Sequence, residues 1–235
     1  MCASSFSGSD LDPLSKASVE ILRSGIARAV GPVALACSFS CEDVVALDLL
    51  VLTTSTPRVF ALDTGRLNEE TYEVAEAVRR RYGVEIEWHF PERENVERLE
   101  RSKGLYSFKE SLENRRECCR IRKVDPLGRA LCGLGGWVTG LRREQGVTRL
   151  DLQAIEVDET RVGLLKLNPL VDWTWERVWA YVKAKGLPVN PLHYQGYPSI
   201  GCAPCTRAVA PGEPFRAGRW WWETPEHKEC GLHRR

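Results

Sequence analysis

The sequence predicts an α/β fold in which helices flank an open, mostly parallel β-sheet. Short apolar runs, typical of buried parallel strands, alternate with stretches whose apolar residues recur at helical spacing. Several of these runs end in small and polar residues, as strands that lead into loops do. The repeated order of strand, helix and strand indicates parallel strands joined by covering helices. With 235 residues, the chain can form one large domain with a well-buried core.

Three apolar runs in the first half of the chain predict parallel strands. They are residues 33–38, 58–62 and 84–90. Residues 68–82 carry apolar side chains at helical spacing, and Gly83 provides a stop for that helix. The first strand leads through a polar loop, residues 38–43, into the apolar stretch 44–52. We therefore expect a second helix to begin directly after that loop.

The second half predicts fewer strands and more loop. A polar helical stretch runs from about Glu92 through Arg122, and Pro126 interrupts it before a second helix to Leu131. Further elements are expected as a strand at 135–140, a hairpin at 150–167 and a helix at 173–185. From Pro188 onward the sequence predicts a loop-rich segment. We expect an α/β domain over residues 1–210 and a C-terminal tail over 211–235.

Composition limits the function. Lys and Arg total 33 against 32 for Asp and Glu, so no overall positive charge recruits nucleic acid or a membrane surface. No apolar run is long enough to cross a bilayer, and residues 1–10 lack the pattern of a signal peptide. We expect a soluble, cytoplasmic protein. Its oligomeric state leaves no mark in the sequence.

Nine cysteines are many for a chain of this size. Their odd number and one adjacent pair favour metal or redox chemistry in a reducing compartment over a disulfide framework. Two close pairs could hold a metal centre, and one cysteine near the C-terminus would remain free to react. These five residues are Cys118, Cys119, Cys202, Cys205 and Cys230. The remaining four are expected to be small buried residues: Cys2, Cys37, Cys41 and Cys132.

The adjacent pair restricts the kind of metal centre. Neighbouring side chains in a helix point about 100° apart, so Cys118 and Cys119 could share a centre only through a multinuclear cluster or a distorted helix end. In a 4Fe-4S cluster each of four thiolates binds a different iron. A zinc site with four cysteine ligands, or four ordinary thiols, are the alternatives.

Three junctions between a strand and a loop indicate a ligand site. They are residues 38–43, 62–66 and 139–143. Ligands in open parallel sheets bind at the carboxyl ends of strands, so we expect these junctions to lie on one edge. Backbone N–H groups of the first junction could bind an anion, although a plain helix cap is the simpler interpretation. The second and third junctions contribute arginines.

Together these motifs resemble a known family, the assimilatory sulfonucleotide reductases, specifically the iron–sulfur type that reduces adenosine 5′-phosphosulfate (APS). The resemblance covers about residues 33–233, nearly the whole chain. Besides the three junctions, the matching segments are Cys-Cys-Arg-Ile-Arg-Lys-Val-Asp-Pro-Leu at 118–127, Gly-Cys-Ala-Pro-Cys-Thr-Arg at 201–207, Arg-Ala-Gly-Arg-Trp-Trp-Trp-Glu at 216–223 and Glu-Cys-Gly-Leu-His at 229–233.

This resemblance implies an adenine nucleotide α-hydrolase-like fold, related to ATP pyrophosphatases, with a modified phosphate loop at residues 38–43. The domain at 1–210 would bind the sulfonucleotide. A 4Fe-4S cluster would be held by Cys118, Cys119, Cys202 and Cys205. Thiols at Cys37 and Cys41 depart from the family pattern; we interpret them as small-residue substitutions, with a redox-sensitive disulfide as the alternative.

The implied reaction is thiol chemistry. The thiolate of Cys230 would attack the sulfur of APS while AMP departs, leaving an S-sulfonated cysteine. Thioredoxin or a similar dithiol would then release sulfite. We expect Lys123 and His233 to complete the catalytic set. The expected substrate-binding residues are Ser38, Ser40, Arg66, Arg142, Arg143, Arg216 and Arg219.

Three other functions stay open at this stage. The first is reduction of the 3′-phosphorylated substrate PAPS, alone or together with APS, by the same mechanism. The second is a cluster-dependent tRNA-thiolating enzyme of related fold, which would need an ATP-cleaving loop and a basic surface. The third is a non-catalytic, zinc-stabilised nucleotide-binding module.

Overall fold

The computed structural model describes residues 12–146, 149–158, 161, 163–224, 227–228 and 231–232. A six-stranded sheet runs through this part of the chain in the order β3-β2-β1-β4-β6-β5. Its strands are β1 (Val33–Ala36), β2 (Arg58–Leu62), β3 (Ile86–His89), β4 (Gly136–Val138), β5 (Ile155–Val157) and β6 (Leu165–Leu167). All neighbours pair in parallel except β5, which is antiparallel to β6. The predicted α/β class, with its mostly parallel sheet, is confirmed.

Seven helices are described. They are α1 (Pro13–Arg28), α2 (Cys41–Leu50), α3 (Glu69–Tyr82), α4 (Arg93–Lys103), α5 (Leu112–Cys119), α6 (Asp125–Ala130) and α7 (Trp175–Lys185). The predicted stops of α3 and α7 are confirmed, because Gly83 and Gly186 take the left-handed conformation at φ 63° and 56°. Glycine adopts this conformation without the steric cost of a side chain. Within the described residues, none of the helices is long and apolar enough to cross a membrane.

The strands alternate between two apolar layers. On one face, Leu35 and Val59 pack with α1, α2, α3 and α7. Ala34, Phe60 and Trp137 face the other way and pack against residues of α6. Successive strand residues point to opposite faces, so both faces of the central strands β1, β2 and β4 are largely buried and their sequences are mostly apolar. This two-sided burial explains why short apolar runs predicted the strands well.

The predicted polar helix from Glu92 to Arg122 is wrong in one respect. The structure divides it into α4 and α5, with a break that begins at Gly104. Gly104 has φ 82° and ψ 167°, a conformation that side-chain-bearing residues avoid, and its N–H closes α4 on Glu100 O. The break extends to Ser111 and contains a 3₁₀ turn, and helical propensity summed over many polar residues does not detect it.

The predicted interruption at Pro126 is also corrected. The chain stays helical from α5 into α6 through a π-helical turn, Arg120–Val124, in which Asp125 N donates to Arg120 O five residues earlier. This turn changes the register of the helix, so that Pro126 lies in the first turn of α6, where a missing N–H is tolerated. The turn follows directly on Cys119, the last residue of α5.

The remaining predictions of secondary structure agree with the structure, while the division into a domain at 1–210 and a tail at 211–235 stays a prediction. The expected hairpin at 150–167 corresponds to β5 and β6, and the helix expected at 173–185 is α7. After Leu187 the described chain contains only short 3₁₀ turns, Pro191–Gln195 and Ala203–Cys205, and an isolated bridge.

Candidate functional site

A cleft of about 210 Å³ opens at the carboxyl ends of β1, β2 and β4. All three predicted junctions contribute to its lining. Ser38 and Ser40 follow β1, Thr64 follows β2, and Thr139 and Gly140 follow β4. This is the edge where open parallel sheets bind ligands, because the connecting loops diverge there and leave a crevice.

Asp43 joins two of these loops. Its Oδ2 accepts hydrogen bonds from the backbone N and the Oγ of Ser38, both at 2.6 Å, and its Oδ1 accepts one from Gly140 N at 3.1 Å. Burial raises the pKa of this carboxyl group to about 6, although the bonds from Ser38 oppose the shift. A Cβ at position 140 would come within 2.4 Å of Oδ1, so this close approach requires glycine.

The loop after β1 also contains a strained residue. Phe39 is buried and has φ 61°, a left-handed conformation that costs an ordinary residue about 1–2 kcal/mol. Its ring packs 5.6 Å from that of Trp88, and both rings line the cleft. Leu127 and Trp137 extend this apolar lining. A planar heterocycle such as a nucleobase would fit such a surface.

Four basic residues line the same cleft. They are Lys123, Arg149, Arg216 and Arg219. Lys123, Arg216 and Arg219 were expected from the sequence, and the structure brings them together. Arg149 was missed: it lies at the border of the predicted hairpin, and no spacing or motif pointed to it. A cleft with an apolar floor and several cations suits an anionic nucleotide.

Three other expected substrate ligands point elsewhere. Arg142 is buried, and its guanidinium donates to Glu42 Oε1 at 3.0 Å and to Glu144 Oε2 at 2.6 Å. Arg143 binds Leu152 O and Asp172. Arg66, like Arg142, is held in an internal ion pair: it donates to Glu100 Oε1. None of the three lines the cleft.

We predict different roles for the adjacent residues Arg142 and Arg143. Arg142 and Glu42 have side chains only 1% and 5% exposed, so Arg142→Ala leaves a buried charge without its partner. We expect it to lower the free energy of unfolding by about 3–5 kcal/mol. Arg143→Ala, at a partly exposed pair, should cost less than about 1 kcal/mol. Urea unfolding measures the free energy of unfolding of both variants. Equal decreases in the two would contradict the structural role of Arg142.

The four paired cysteines line a second, smaller cavity. Cys118 and Cys119 come from the end of α5, and Cys202 and Cys205 come from the 3₁₀ turn region. All four are buried. Burial raises the pKa of the Cys118 thiol, and burial together with the neighbouring thiols raises that of Cys205 to about 12. Two of these thiols therefore stay neutral unless a cation stabilises the thiolate.

Cys202 behaves differently. Burial opposes ionisation of its thiol, but Lys123, the hydroxyl of Thr64 and Arg219 together lower its pKa. The Thr64 Oγ1 lies 3.3 Å from the sulfur. One thiol of the four is thus already biased toward the thiolate, the form that binds metals.

Three buried N–H donors around this cavity lack a partner. They are Arg122 Nε, Arg219 Nε and Trp220 Nε1, and none of them reaches an acceptor among the described residues. Buried donors are rarely left unpaired in proteins. An anionic group inside the cavity would accept from them. Across the described residues, no three His, Cys, Asp or Glu side chains are arranged to hold a single metal ion.

The two cavities are neighbours. Lys123 and Arg219 line both of them. Lys123 lies in the π-helical turn, four residues after Cys119, so the local distortion of the helix sets its position. Charge in the cysteine cavity would therefore act on the cleft over a short distance.

The C-terminal part of the chain also reaches the cleft. Leu232 lines it and packs against the apolar layer that contains Leu127 and Trp137. The predicted catalytic residues Cys230 and His233 lie outside the described residues. Cys37 and Cys41 are free, buried thiols, as expected, and burial raises the pKa of both well above its usual value. The same expectation was wrong for Cys132, which is exposed, and Cys2 lies outside the described residues.

The mostly parallel sheet, together with its likeness to the solved structure of a PAPS reductase, places this protein in the adenine nucleotide α-hydrolase-like fold class. The sequence matches the model of the phosphoadenosine phosphosulfate reductase domain over residues 32–208. The chain belongs to this family, which confirms the resemblance inferred from its motifs.

Individual relatives agree with this assignment. The chain is 55% identical to the adenosine 5′-phosphosulfate reductase of Burkholderia cepacia over 202 residues, which cover 86% of this chain and 80% of the relative. It is 50% identical to the adenosine 5′-phosphosulfate reductase of Allochromatium vinosum, with 93% and 85% covered. Among solved structures, the PAPS reductase of Candida auris in its phosphate complex superposes with a TM-score of 0.68 at 27% identity, covering 88% of this chain and 100% of that one.

Proposed function

We propose that this protein is a thioredoxin-dependent adenylyl-sulfate reductase, which reduces APS to sulfite and AMP in assimilatory sulfate reduction and cysteine biosynthesis. The observation that carries the proposal is the shared wall between the cysteine cavity and the cleft, formed by Lys123 and Arg219. It links a cysteine-rich centre to a site for an anionic nucleotide. The names of the relatives from Burkholderia cepacia and Allochromatium vinosum support APS as the substrate.

The lining of the cleft supports specific roles. We assign the nucleotide to the apolar surface around Trp88 and to the loop that contains Ser38 and Ser40. Four cations would hold the phosphate and sulfate oxygens, namely Lys123, Arg149, Arg216 and Arg219. This assignment replaces Arg66, Arg142 and Arg143, because none of these three lines the cleft.

The proposed reaction needs no electron-carrying cofactor, because the dithiol partner supplies both electrons. The Cys230 thiolate attacks sulfur, the bond between sulfur and the bridging oxygen breaks, and AMP leaves with the electron pair. A thiolate of the dithiol partner then attacks the Cys230 sulfur, and sulfite departs. The partner's second thiol resolves the mixed disulfide and restores Cys230. Lys123 and Arg219 would stabilise the charge that builds on the departing oxygens, and His233 would favour the thiolate.

The donor set of the second cavity fits a 4Fe-4S cluster. Cys118, Cys119, Cys202 and Cys205 would each bind one iron, and the unpaired N–H donors would bond to its sulfur atoms. When bound, the cluster supplies a fixed charge beside the cleft. Zinc is less well supported, because a tetrahedral site needs several ligands around one ion and the described residues contain no such group.

The partner and the compartment follow from this chemistry. Regeneration of Cys230 needs a reduced dithiol, for which thioredoxin is our candidate. A reducing compartment keeps both that dithiol and the buried thiols Cys37 and Cys41 reduced, so we place the protein in the cytoplasm.

We predict that APS is the preferred substrate. With iron-loaded protein and a reduced dithiol, kcat/KM for APS should exceed that for PAPS by at least about tenfold. The reason is the high identity to the relatives from Burkholderia cepacia and Allochromatium vinosum, both named as APS reductases. Steady-state release of sulfite with each substrate measures the ratio. Preference for PAPS would assign the chain to the alternative activity, and no sulfite from either would favour the non-catalytic module.

A further inference from the structure

Residues 206–219 form a loop, here named the bridging loop, that leaves the cysteine cavity and returns to it. Thr206 and Arg219 pair in an antiparallel bridge at its base. Next to this bridge, Arg207 N donates to Gly218 O at 3.0 Å. A Cβ on residue 218 would come within 2.2 Å of Arg207 O, so the close approach of the two backbones requires glycine. The two ends of the loop are therefore fixed together.

The first half of the bridging loop is held by polar contacts. Arg207 forms a two-point ion pair with Glu213, at 2.9 and 2.8 Å. Val209 N donates to Gly196 O at 2.8 Å, which ties this half to the body of the protein. Two-point guanidinium–carboxylate pairs fix direction as well as distance. This half therefore needs no apolar anchor.

The second half depends on an aromatic contact. The ring of Phe215 meets the ring of Trp175 edge-on, with centroids 5.0 Å apart and planes at 80°. The Arg142 guanidinium carbon lies 6.0 Å from the centre of the Phe215 ring and 5.6 Å from that of Trp175. Phe215 thus packs in a socket made by the start of α7 and the buried Arg142. Edge-to-face geometry is the favourable one for aromatic pairs.

The residue after Phe215 connects the cleft to the C-terminal part of the chain. Arg216 lines the cleft, and its Nη2 donates to Lys228 O at 2.7 Å. Lys228 Nζ in turn donates to Ala217 O at 3.1 Å. The second half of the bridging loop therefore positions Arg216 and binds the backbone two residues before Cys230.

Arg219 is held in place by contacts that do not involve Phe215. Its Nη1 donates to Ile200 O at 3.0 Å, and its guanidinium carbon lies 4.6 Å from the centre of the Trp220 ring. It also belongs to the base of the loop. Loss of the aromatic anchor should consequently displace Arg216 and leave Arg219 in place.

The ring of Phe215 itself lines the cleft. We propose that Phe215 is a positioning residue, whose packing on Trp175 holds Arg216 in the cleft and thereby raises the affinity for the anionic group of the nucleotide. The inference rests on the proposed function only for the identity of that nucleotide. Phe215 takes no part in bond making or breaking. Its loss should raise KM about tenfold and change kcat little, because Cys230, Lys123 and Arg219 remain.

The test compares three variants in AMP binding by titration calorimetry and in hydrogen exchange of residues 207–218. Phe215→Ala should weaken AMP binding about tenfold and speed amide exchange in this loop. Phe215→Tyr keeps the ring and should retain both properties. Tyr194→Ala is the matched control: Tyr194 is 73% exposed and packs on Trp179, in the same row of aromatic rings but outside the cleft.

Three outcomes contradict the proposal: unchanged AMP affinity in Phe215→Ala, an equal loss in Tyr194→Ala, or weaker AMP binding in Phe215→Ala with unchanged amide exchange. The last would mean that the ring, which lines the cleft, contacts the nucleotide directly. Phe215→Leu, which removes the ring but keeps apolar volume, replaces the alanine variant if that protein unfolds. AMP binding and hydrogen exchange require no turnover, so failure of APS reduction in the parent protein leaves this test interpretable. Conversely, active protein whose Phe215→Ala variant binds AMP normally would refute the positioning role alone.

Discussion

Cys230→Ser is expected to lower sulfite formation from APS by at least about a thousandfold, because a serine hydroxyl stays protonated and cannot replace a thiolate nucleophile. The reaction would stop before AMP is released. Binding of AMP and the iron content should be unchanged, because the proposed role of Cys230 is to attack sulfur, and the residues proposed to hold the nucleotide and the cluster are others. Sulfite and AMP assays on anaerobic protein measure the effect.

Cys132→Ser is the matched control for this variant. Cys132 is an exposed free thiol that lines neither cavity, so its substitution should leave sulfite formation unchanged. If Cys230→Ser formed sulfite at the wild-type rate, Cys230 could not be the nucleophile. A large loss of sulfite formation in Cys132→Ser would instead show that removing a cysteine damages the protein as a whole.

Cys205→Ser is expected to abolish iron binding and, with it, most of the activity. The wild-type protein, purified without oxygen, should be brown and contain about four irons per chain. The pKa of the buried Cys205 thiol is raised to about 12, so its thiolate forms only with a bound cation, and a serine at this position is a poorer ligand still. Loss of the metal should also lower Tm, because binding energy of a metal centre stabilises the folded state.

Cys41→Ser provides the comparison for the buried cysteines. Cys41 is as buried as the four paired cysteines but contacts Glu42 and lines neither cavity. It should keep iron and colour. Iron analysis and the visible spectrum distinguish the two variants, and a colourless wild-type protein that binds zinc stoichiometrically would contradict the cluster.

Local signals in the sequence predicted most of the fold. Residues 58–62 were expected as a strand and form β2, because burial on both faces makes the segment apolar after Arg58. Gly83 and Gly186 were expected as helix stops, since a left-handed terminus favours glycine. The break at Gly104 and the π-helical turn after Cys119 were missed, because both depend on one residue's backbone and on the packing around it.

The site was predictable in position but only partly in detail. Strand ends located the cleft, since parallel strands share one carboxyl edge. The positions of arginine side chains were not predictable, because long-range partners set them. Arg142 pairs with Glu42, a hundred residues earlier in the chain, and does not line the cleft. Arg149 reaches the cleft without any sequence motif. Sequence spacing carries no information on such tertiary contacts.

The central claim is that Cys230 accepts the sulfonate group of APS. Mass spectrometry of the iron-loaded protein after incubation with APS, in the absence of any dithiol, tests it most directly. We expect one SO₃ group on the peptide that contains Cys230, formed in step with AMP and lost as sulfite when reduced thioredoxin is added. AMP release without this adduct, or an adduct on a different cysteine, would contradict the account.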